Sequence, residues 1–325
     1  MRLDPAARSL IRLAVAEDLG LAVLPRTPRS VLYRDLSTDR FLPKSLRLRG
    51  RFIARRAGVL CGTAAASEVF RLLAPGARLR WLVKDGGALR PGTLIGRVEG
   101  GREILSAERT ALNFLQRLSG VATLTRAFVR RVDGTRARVY DTRKTTPGWR
   151  GLEKYAVRCG GGLNHRMGLQ DMVMLKDNHL ASLASQAALS SASSLIEFRA
   201  LIARFRRSHP RVGLLVEAKT HREALLALRL GADIILLDNM PPSRLKAEIG
   251  FLRRSASAVR IEVSGGVDLP SVRRLARLGP DRISVGRLTH SAPALDISLE
   301  VRPASRTHFP IGRGTAALQA GGRPA

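Results

Sequence analysis

The chain has only two cysteines, Cys61 and Cys159, and they lie far apart with no CxxC pattern. That argues against a disulfide framework and against a cysteine-based zinc site. Aromatic residues are scarce as well, at 4%. The core must then be built mainly from Leu, Ala, Val and Ile, and few rings are on hand to stack on nucleic-acid bases. No apolar run reaches the ~18 residues that a membrane helix needs. The opening segment MRLDPAARSLIRLAVAEDLG carries Asp4, Glu17 and Asp18 and lacks the unbroken apolar stretch of a signal peptide. Leu10, Leu13, Ala14 and Glu17 are spaced for an amphipathic helix instead. No membrane association is expected, and the cytoplasm is the default location.

Acidic residues are also in deficit. Against 56 Lys and Arg stand 26 Asp and Glu, for a formal net charge of +30. A polyanion-binding surface is one explanation. The basic residues spread along the whole chain, however, and a solvated arginine-rich surface accounts for them more simply. Either way, the net field attracts small anions.

What is present fits a large globular enzyme. The chain has 325 residues, 45% of them hydrophobic, enough for one large domain or two ordinary ones. Residues 46–54 alternate in part, as a strand with one solvated face does. Asp85-Gly86-Gly87 and Arg90-Pro91-Gly92 are turn signals. From 105 to 132 the pattern is helical, and Gly120 predicts a break or kink there. A regular beat follows. Strands are expected at 138–141, 172–176, 213–217, 233–238, 259–264 and 282–286, with helical segments between them. Such alternation implies right-handed parallel βα units. A complete or partial α/β barrel is the leading architecture, with a doubly wound open sheet as the alternative. Residues 303–325 contain no acid and no clear period, and are expected to form a disordered basic tail.

Polar residues recur at the C-terminal ends of these strands, the end where α/β folds bind ligands. Asp141-Thr142-Arg143-Lys144 follows the first strand, Lys176 ends the second, Glu217 the third and Asp238 the fourth; Ser264-Gly265-Gly266 and Gly286 follow the last two. Arg143, Lys144, His165, Arg166 and Lys176 are donors suited to carboxylates and phosphates. The glycine turns bring backbone N–H groups close to an anion. Glu217 and Asp238 suit a hydrated Mg²⁺ or sugar hydroxyls. Singly each feature has a plainer role: an SGG is often only a turn, Asp238 could cap the helix from Pro241 onward, and His165 could be structural. Together they describe a site for a substrate with carboxylates, phosphates and a polyol.

The run DTRKTTPGWRGLEKYAVRCGGGLNHRMGLQDMVMLKDNH at 141–179 resembles the signature of the quinolinate phosphoribosyltransferase (carboxylating nicotinate-nucleotide pyrophosphorylase) family. The resemblance continues through AERTALNFLQRLSG at 107–120, GADIILLDNM at 231–240, SGGV at 264–267 and ISVGRLTHSAPALDISL at 283–299. It implies an N-terminal α/β sandwich domain over 1–115, completed by 287–302, and a C-terminal partial (β/α) barrel over 116–286. It implies a homodimer in which Arg109 reaches the partner's site. Arg143, Lys144, His165, Arg166 and Lys176 would hold the pyridine dicarboxylate, and Glu217 and Asp238 the ribose side with Mg²⁺ through water. Ser264, Gly265, Gly266, Gly286 and His290 would hold phosphate, with Thr142 and Val285 completing the substrate-binding set. Lys144, Lys176, Glu217 and Asp238 would be the catalytic group. The implied reaction joins quinolinate to phosphoribosyl pyrophosphate (PRPP) and yields nicotinate mononucleotide, pyrophosphate and CO₂.

One departure stands out. The family often alternates acids before the helix at His221, whereas here Leu215 and Lys219 flank Glu217. The three would share one face of a strand, with Lys219 either pairing with Glu217 or replacing some of the cation demand. Two other readings remain. A relative of the same fold, like the family's molybdenum-operon homologues, would use a different acidic acceptor. A nucleic-acid-binding protein would show a continuous basic face and no converging strand-end site.

Overall fold

The computed structural model describes residues 3–25, 34–176, 178–179, 192–256 and 258–304. The expected disordered tail lies, from residue 305 onward, outside the described residues. Helices α1 (Pro5–Asp18) and α2 (Leu36–Phe41) lead into β1 (Arg47–Ala54) and β2 (Gly58–Val59). Then come α3 (Thr63–Leu73), β3 (Arg78–Trp81), β4 (Ala88–Leu89), β5 (Leu94–Gly101) and the long α4 (Glu103–Val132).

Helix α1 forms because Asp4 caps it, accepting from the Ala7 N–H, and a proline opens it. Its buried stripe is Ala7, Ile11, Val15 and Ala16. Leu13, expected on the inner face, is 59% exposed, because the true stripe is set one position off the Leu10–Leu13 pair.

The first sheet is antiparallel in the order β12-β1-β5-β3, where β12 is Ile297–Pro303. The chain thus returns from its far end to pair with β1, Phe52 opposite Leu299. The inner face buries Phe52, Ile95 and Val98 under α3 and α4. Phe52 meets Phe70 edge-on at 5.9 Å and Trp81 at 4.9 Å. The outer face is arginine-rich: Arg51 stands opposite Arg97, and Arg97 opposite Arg80. Like charges across a sheet repel, and Glu99 and Glu300 relieve part of that, at 3.3 Å from Arg49 and 2.8 Å from Arg55.

Helix α4 corrects the expected break. It runs unbroken through Gly120. The glycine is there for contact: a Cβ on it would stand 2.0 Å from the Pro293 carbonyl oxygen. Residues 115 and 116 both lie inside α4, so both halves of the chain pack on one helix.

Beyond α4 the βα beat appears as β6 (Arg138–Tyr140), α5 (Arg150–Cys159), β7 (Met172–Leu175) and α6 (Ala192–Ser208). It continues as β8 (Gly213–Ala218), α7 (His221–Arg229), β9 (Ile234–Asp238), α8 (Pro242–Ser255), β10 (Arg260–Ser264), α9 (Leu269–Arg277), β11 (Arg282–Ser284) and α10 (Arg287–His290). The 6-stranded sheet has the order β6-β11-β10-β9-β8-β7, with parallel pairing throughout. A doubly wound sheet would reverse direction at a switch point. Here β7 to β11 follow one another without reversal and β6 closes onto β11, so the sheet is a partial barrel, open between β6 and β7.

Side chains alternate across these strands. Val216, Ile235, Leu237, Ile261 and Val263 join the main core under the helices. Leu215, Ile234 and Leu236, with Met172 and Met174, form a separate apolar layer inside the barrel. One step further along the inward rows of β7, β8 and β9, the residues become Lys176, Glu217 and Asp238. That change of chemistry marks the barrel mouth. Among the described residues, no helix is long and apolar enough to cross a membrane.

Candidate active site

A cavity of about 730 Å³ occupies this mouth. Thr142, Arg143, Lys144, His165, Arg166, Lys176, Glu217, Asp238, Ser264, Gly265, Gly266, Gly286 and His290 all line it, so these expected residues meet in one place. Two do not. Arg109 is exposed on α4 and is not part of this lining. Val285 is 1% exposed and gives its N–H to the Tyr140 carbonyl at 2.9 Å, a ladder position in the wall.

The basic wall is held from behind. Asp141, fully buried at the end of β6, accepts from Lys154 Nζ at 2.5 Å, Asn164 Nδ2 at 2.7 Å and the His165 N–H at 2.7 Å. Lys154 also donates to the His165 carbonyl at 3.0 Å. Burial raises the Asp141 carboxyl and lowers the Lys154 ammonium from their ordinary values, each offset in part by the other's charge. A second tie runs from α4. Arg117 meets Glu153 at 2.7 Å, and Glu153 accepts from the Thr146 N–H and hydroxyl at 3.0 and 2.9 Å. The Lys144 carbonyl is held by the Thr289 hydroxyl at 2.6 Å.

The donors on this wall crowd one another. Burial, and then the nearby Arg143 charge, lower the Arg166 guanidinium from its ordinary value. Arg143 Nε is buried with no hydrogen-bond partner among the described residues. Two guanidiniums that repel each other, one with an unspent N–H, suit an anion between them.

His165 has a defined orientation. Its Nδ1 accepts the Arg166 N–H at 2.8 Å, which places the proton of the neutral ring on Nε2. That nitrogen lies 3.3 Å from Glu262 Oε1. Glu262 is fully buried, 2.8 Å from Arg282 Nε, and accepts from the Ser284 hydroxyl. Burial opposes its charge, but the His165 contact, the Arg282 charge and Ser284 outweigh that and lower its carboxyl below the usual range. Arg282 in turn lies 3.9 Å over the Tyr140 ring. Glu262, Ser284, Asn239, Asp268 and Arg287 line the cavity without having been singled out in the sequence. For Glu262 a signal existed: it lies two residues before Ser264, on the same inward row.

The opposite wall is acidic and glycine-rich. Glu217 lies one residue before the end of β8 and Asp238 ends the adjacent β9, and Lys176 Nζ lies 3.5 Å from Glu217. Lys219 falls beyond the end of β8, exposed, its N–H donated to Glu223 at 2.6 Å, so the expected row of Leu215, Glu217 and Lys219 stops at Glu217. The alternative capping role for Asp238 is not taken: α8 is capped at Pro241 with no side-chain bond. Asn239, at φ 52°, bonds the Asp238 carboxylate at 2.9 Å. Gly265 has φ 97°, and a Cβ there would stand 2.2 Å from Asn239 Oδ1, so this turn requires glycine.

The sequence comparisons agree with this geometry. Residues 121–300 match the model of the quinolinate phosphoribosyl transferase C-terminal domain, and residues 35–119 that of its N-terminal domain. The chain is 41% identical over 250 residues to a probable carboxylating nicotinate-nucleotide pyrophosphorylase of Bacillus subtilis, covering 77% of this chain and 82% of that one. It is 35% identical over 308 residues to a decarboxylating quinolinate phosphoribosyltransferase of Nicotiana glauca, covering 90% and 82%. Among solved structures, the nicotinate-nucleotide pyrophosphorylase of Francisella tularensis superposes with a TM-score of 0.78 at 32% identity, covering 93% of this chain and 98% of that one. With both domain models matched in order, and relatives above 30% identity matched over 82% of their length, the chain belongs to the quinolinate phosphoribosyltransferase family.

Proposed function

We propose that this protein transfers the phosphoribosyl group of PRPP to the ring nitrogen of quinolinate, with loss of the 2-carboxylate as CO₂. The products are nicotinate mononucleotide and pyrophosphate, and the reaction serves NAD biosynthesis. The observation that carries the reading is the meeting of two chemistries in one cavity: Arg143, Lys144, His165 and Arg166 as donors, Lys176 set 3.5 Å from Glu217, and Asp238 with the Ser264 turn.

In this reading Arg143, His165 and Arg166 grip the two carboxylates and fix the ring, and Lys144 and Lys176 neutralise charge beside it. The Ser264-Gly265-Gly266 turn and Gly286, with His290, take the 5′-phosphate on backbone and ring N–H groups. As the bond from ribose C1 to the pyrophosphate oxygen breaks, positive charge develops on the sugar, as in glycosyl transfer generally. The carboxylates of Glu217 and Asp238 stand on the ribose side of that charge. The ring nitrogen then bonds C1 and becomes cationic. When the bond from C2 to its carboxylate breaks, CO₂ leaves and the electron pair stays on C2, stabilised by the adjacent cationic nitrogen, until C2 takes up a proton. Positioning and charge neutralisation suffice, and no covalent nucleophile is needed.

Glu217 and Asp238 also fit a magnesium ion. They are hard oxygen donors on neighbouring inward rows, and no third His, Cys or carboxylate among the described residues joins them in a ligand cluster. Two carboxylates with the remaining positions left to water and substrate phosphate are the usual Mg²⁺ arrangement. Bound there, the ion would neutralise the departing pyrophosphate.

Arg109 enters the reading through a second subunit. It is exposed on α4, outside its own chain's cavity, and a homodimer that sets it in the partner's mouth would give it the anion contact the resemblance implies. The test of the function is product formation. Purified protein with quinolinate, PRPP and Mg²⁺ should yield nicotinate mononucleotide, and nicotinate offered in place of quinolinate should not replace it. Equal turnover of nicotinate would mean that the second carboxylate grip is misassigned.

A further inference from the structure

The chain's two cysteines, far apart in sequence, meet in the fold. Cys61 follows β2 just before α3, and Cys159 ends α5. Their Sγ atoms and a carboxylate oxygen of Asp85 lie within 4.8 Å of one another. Both are free thiols, Cys61 buried and Cys159 half-buried. Their backbones are pinned from α4. The Cys61 N–H donates to Ser119 Oγ at 2.9 Å, and Arg126 donates to the Cys159 and Gly160 carbonyls at 3.3 and 2.8 Å. None of this group lines the barrel mouth.

Two kinds of chemistry suit two thiols and a carboxylate. A thiophilic cation such as Zn²⁺ normally takes four ligands. Here only these three ligands gather among the described residues. Both Asp85 oxygens already accept hydrogen bonds, from the Thr63 N–H at 3.1 Å and the Tyr155 hydroxyl at 2.9 Å. Sulfur–sulfur chemistry needs neither a fourth ligand nor a free carboxylate. The two thiols also differ in the required way. The neighbouring Cys61 thiol lowers the Cys159 thiol against the opposing effect of burial, while burial raises that of Cys61. The better thiolate is therefore the one nearer solvent, with a protonated thiol behind it.

We propose that Cys61 and Cys159 form an oxidisable dithiol, a second reactive site that takes a small hydroperoxide and closes to a disulfide. The Cys159 thiolate attacks one peroxide oxygen, the O–O bond breaks and hydroxide leaves, giving a sulfenic acid. The Cys61 sulfur then attacks the Cys159 sulfur, the S–O bond breaks, and the departing hydroxide takes the Cys61 proton as water. Two electrons pass from the sulfurs to the peroxide, and a thiol reductant reverses the change. The bond joins the N-terminal layer to α5, the helix whose Lys154 holds Asp141 behind the active-site wall.

The test is peptide mapping of the full-length protein. Native protein is treated with hydrogen peroxide, its remaining thiols are alkylated, and it is digested without reductant. The expected result is loss of both alkylatable thiols and a Cys61–Cys159 linked peptide that dithiothreitol dissolves. Cys61→Ser should leave a Cys159 sulfenic acid that dimedone traps. Retention of both free thiols, links only between subunits, or over-oxidised Cys159 with Cys61 still free would overturn the proposal. So would stoichiometric Zn²⁺ binding that shields both thiols from peroxide, which would assign the cluster to a metal.

Discussion

Lys154 Nζ lies 2.5 Å from Asp141 Oδ1, and neither side chain is more than 1% exposed. This buried pair anchors the segment that carries His165, because the same carboxylate holds the His165 N–H and Asn164, and the same ammonium holds the His165 carbonyl. Removing one partner leaves an uncompensated buried charge, which costs about 3–5 kcal/mol. Lys154→Met should lower stability by that order in urea unfolding. The double variant Asp141→Asn, Lys154→Met should recover part of it. Equal losses in the single and double variants would mean that the pair is not coupled.

Glu262 supplies the pH dependence. Its folded carboxyl is lowered below its ordinary value of about 4.3, with burial outweighed by His165, Arg282 and Ser284. A group lowered on folding adds stability above its unfolded pKa, and that stability is lost as pH falls through the folded value. The stability gap between the native chain and Glu262→Gln should therefore be full at neutral pH and shrink as pH drops below about 4.3. Urea midpoints across a pH series measure it, and a constant gap would contradict the assignment.

Gly120 and Gly250 should respond in opposite ways to alanine. Both lie inside helices, where alanine is intrinsically favoured by about 1 kcal/mol. At Gly250 the nearest atom to a new Cβ is the flexible Arg254 guanidinium at 3.4 Å, so Gly250→Ala should stabilise. At Gly120 the Pro293 carbonyl stands 2.0 Å away, and Gly120→Ala should destabilise, near the upper end of about 1–3 kcal/mol. Thermal unfolding of the two variants reads both signs.

These cases show what the sequence could carry. The strand beat, the partial barrel and the polar strand ends were legible because period-2 and helical patterns report burial directly. The basic residues were legible as a set of donors, since Arg143, Lys144, Arg166 and Lys176 are charged residues on strand ends and loops. Their supports were not. Nothing in the local sequence marks Lys154 and Glu153 as buried, yet both are, because their partners Asp141 and Arg117 come from other elements. Gly120 read as a breaker because its neighbour, Pro293, lies far along the chain. The two cysteines read as unrelated for the same reason: contacts of long sequence separation leave no local pattern.

The proposed role of Arg109 across a dimer makes a separate prediction. Arg109→Ala and Lys144→Ala homodimers should each be inactive. Dissociated, mixed and re-associated, they should regain activity, since some mixed dimers carry one intact mouth served by one intact Arg109. Mixed dimers that form but stay inactive would place Arg109 elsewhere.

The proposed reaction requires the cavity to grip both carboxylates of quinolinate and to expel one after ribosylation. Release of labelled CO₂ from quinolinate carrying the label in its 2-carboxylate tests it most directly. Release that requires both PRPP and Mg²⁺, and that matches nicotinate mononucleotide mole for mole, is the predicted result. A folded protein that releases no label with all three present at saturation would contradict the account.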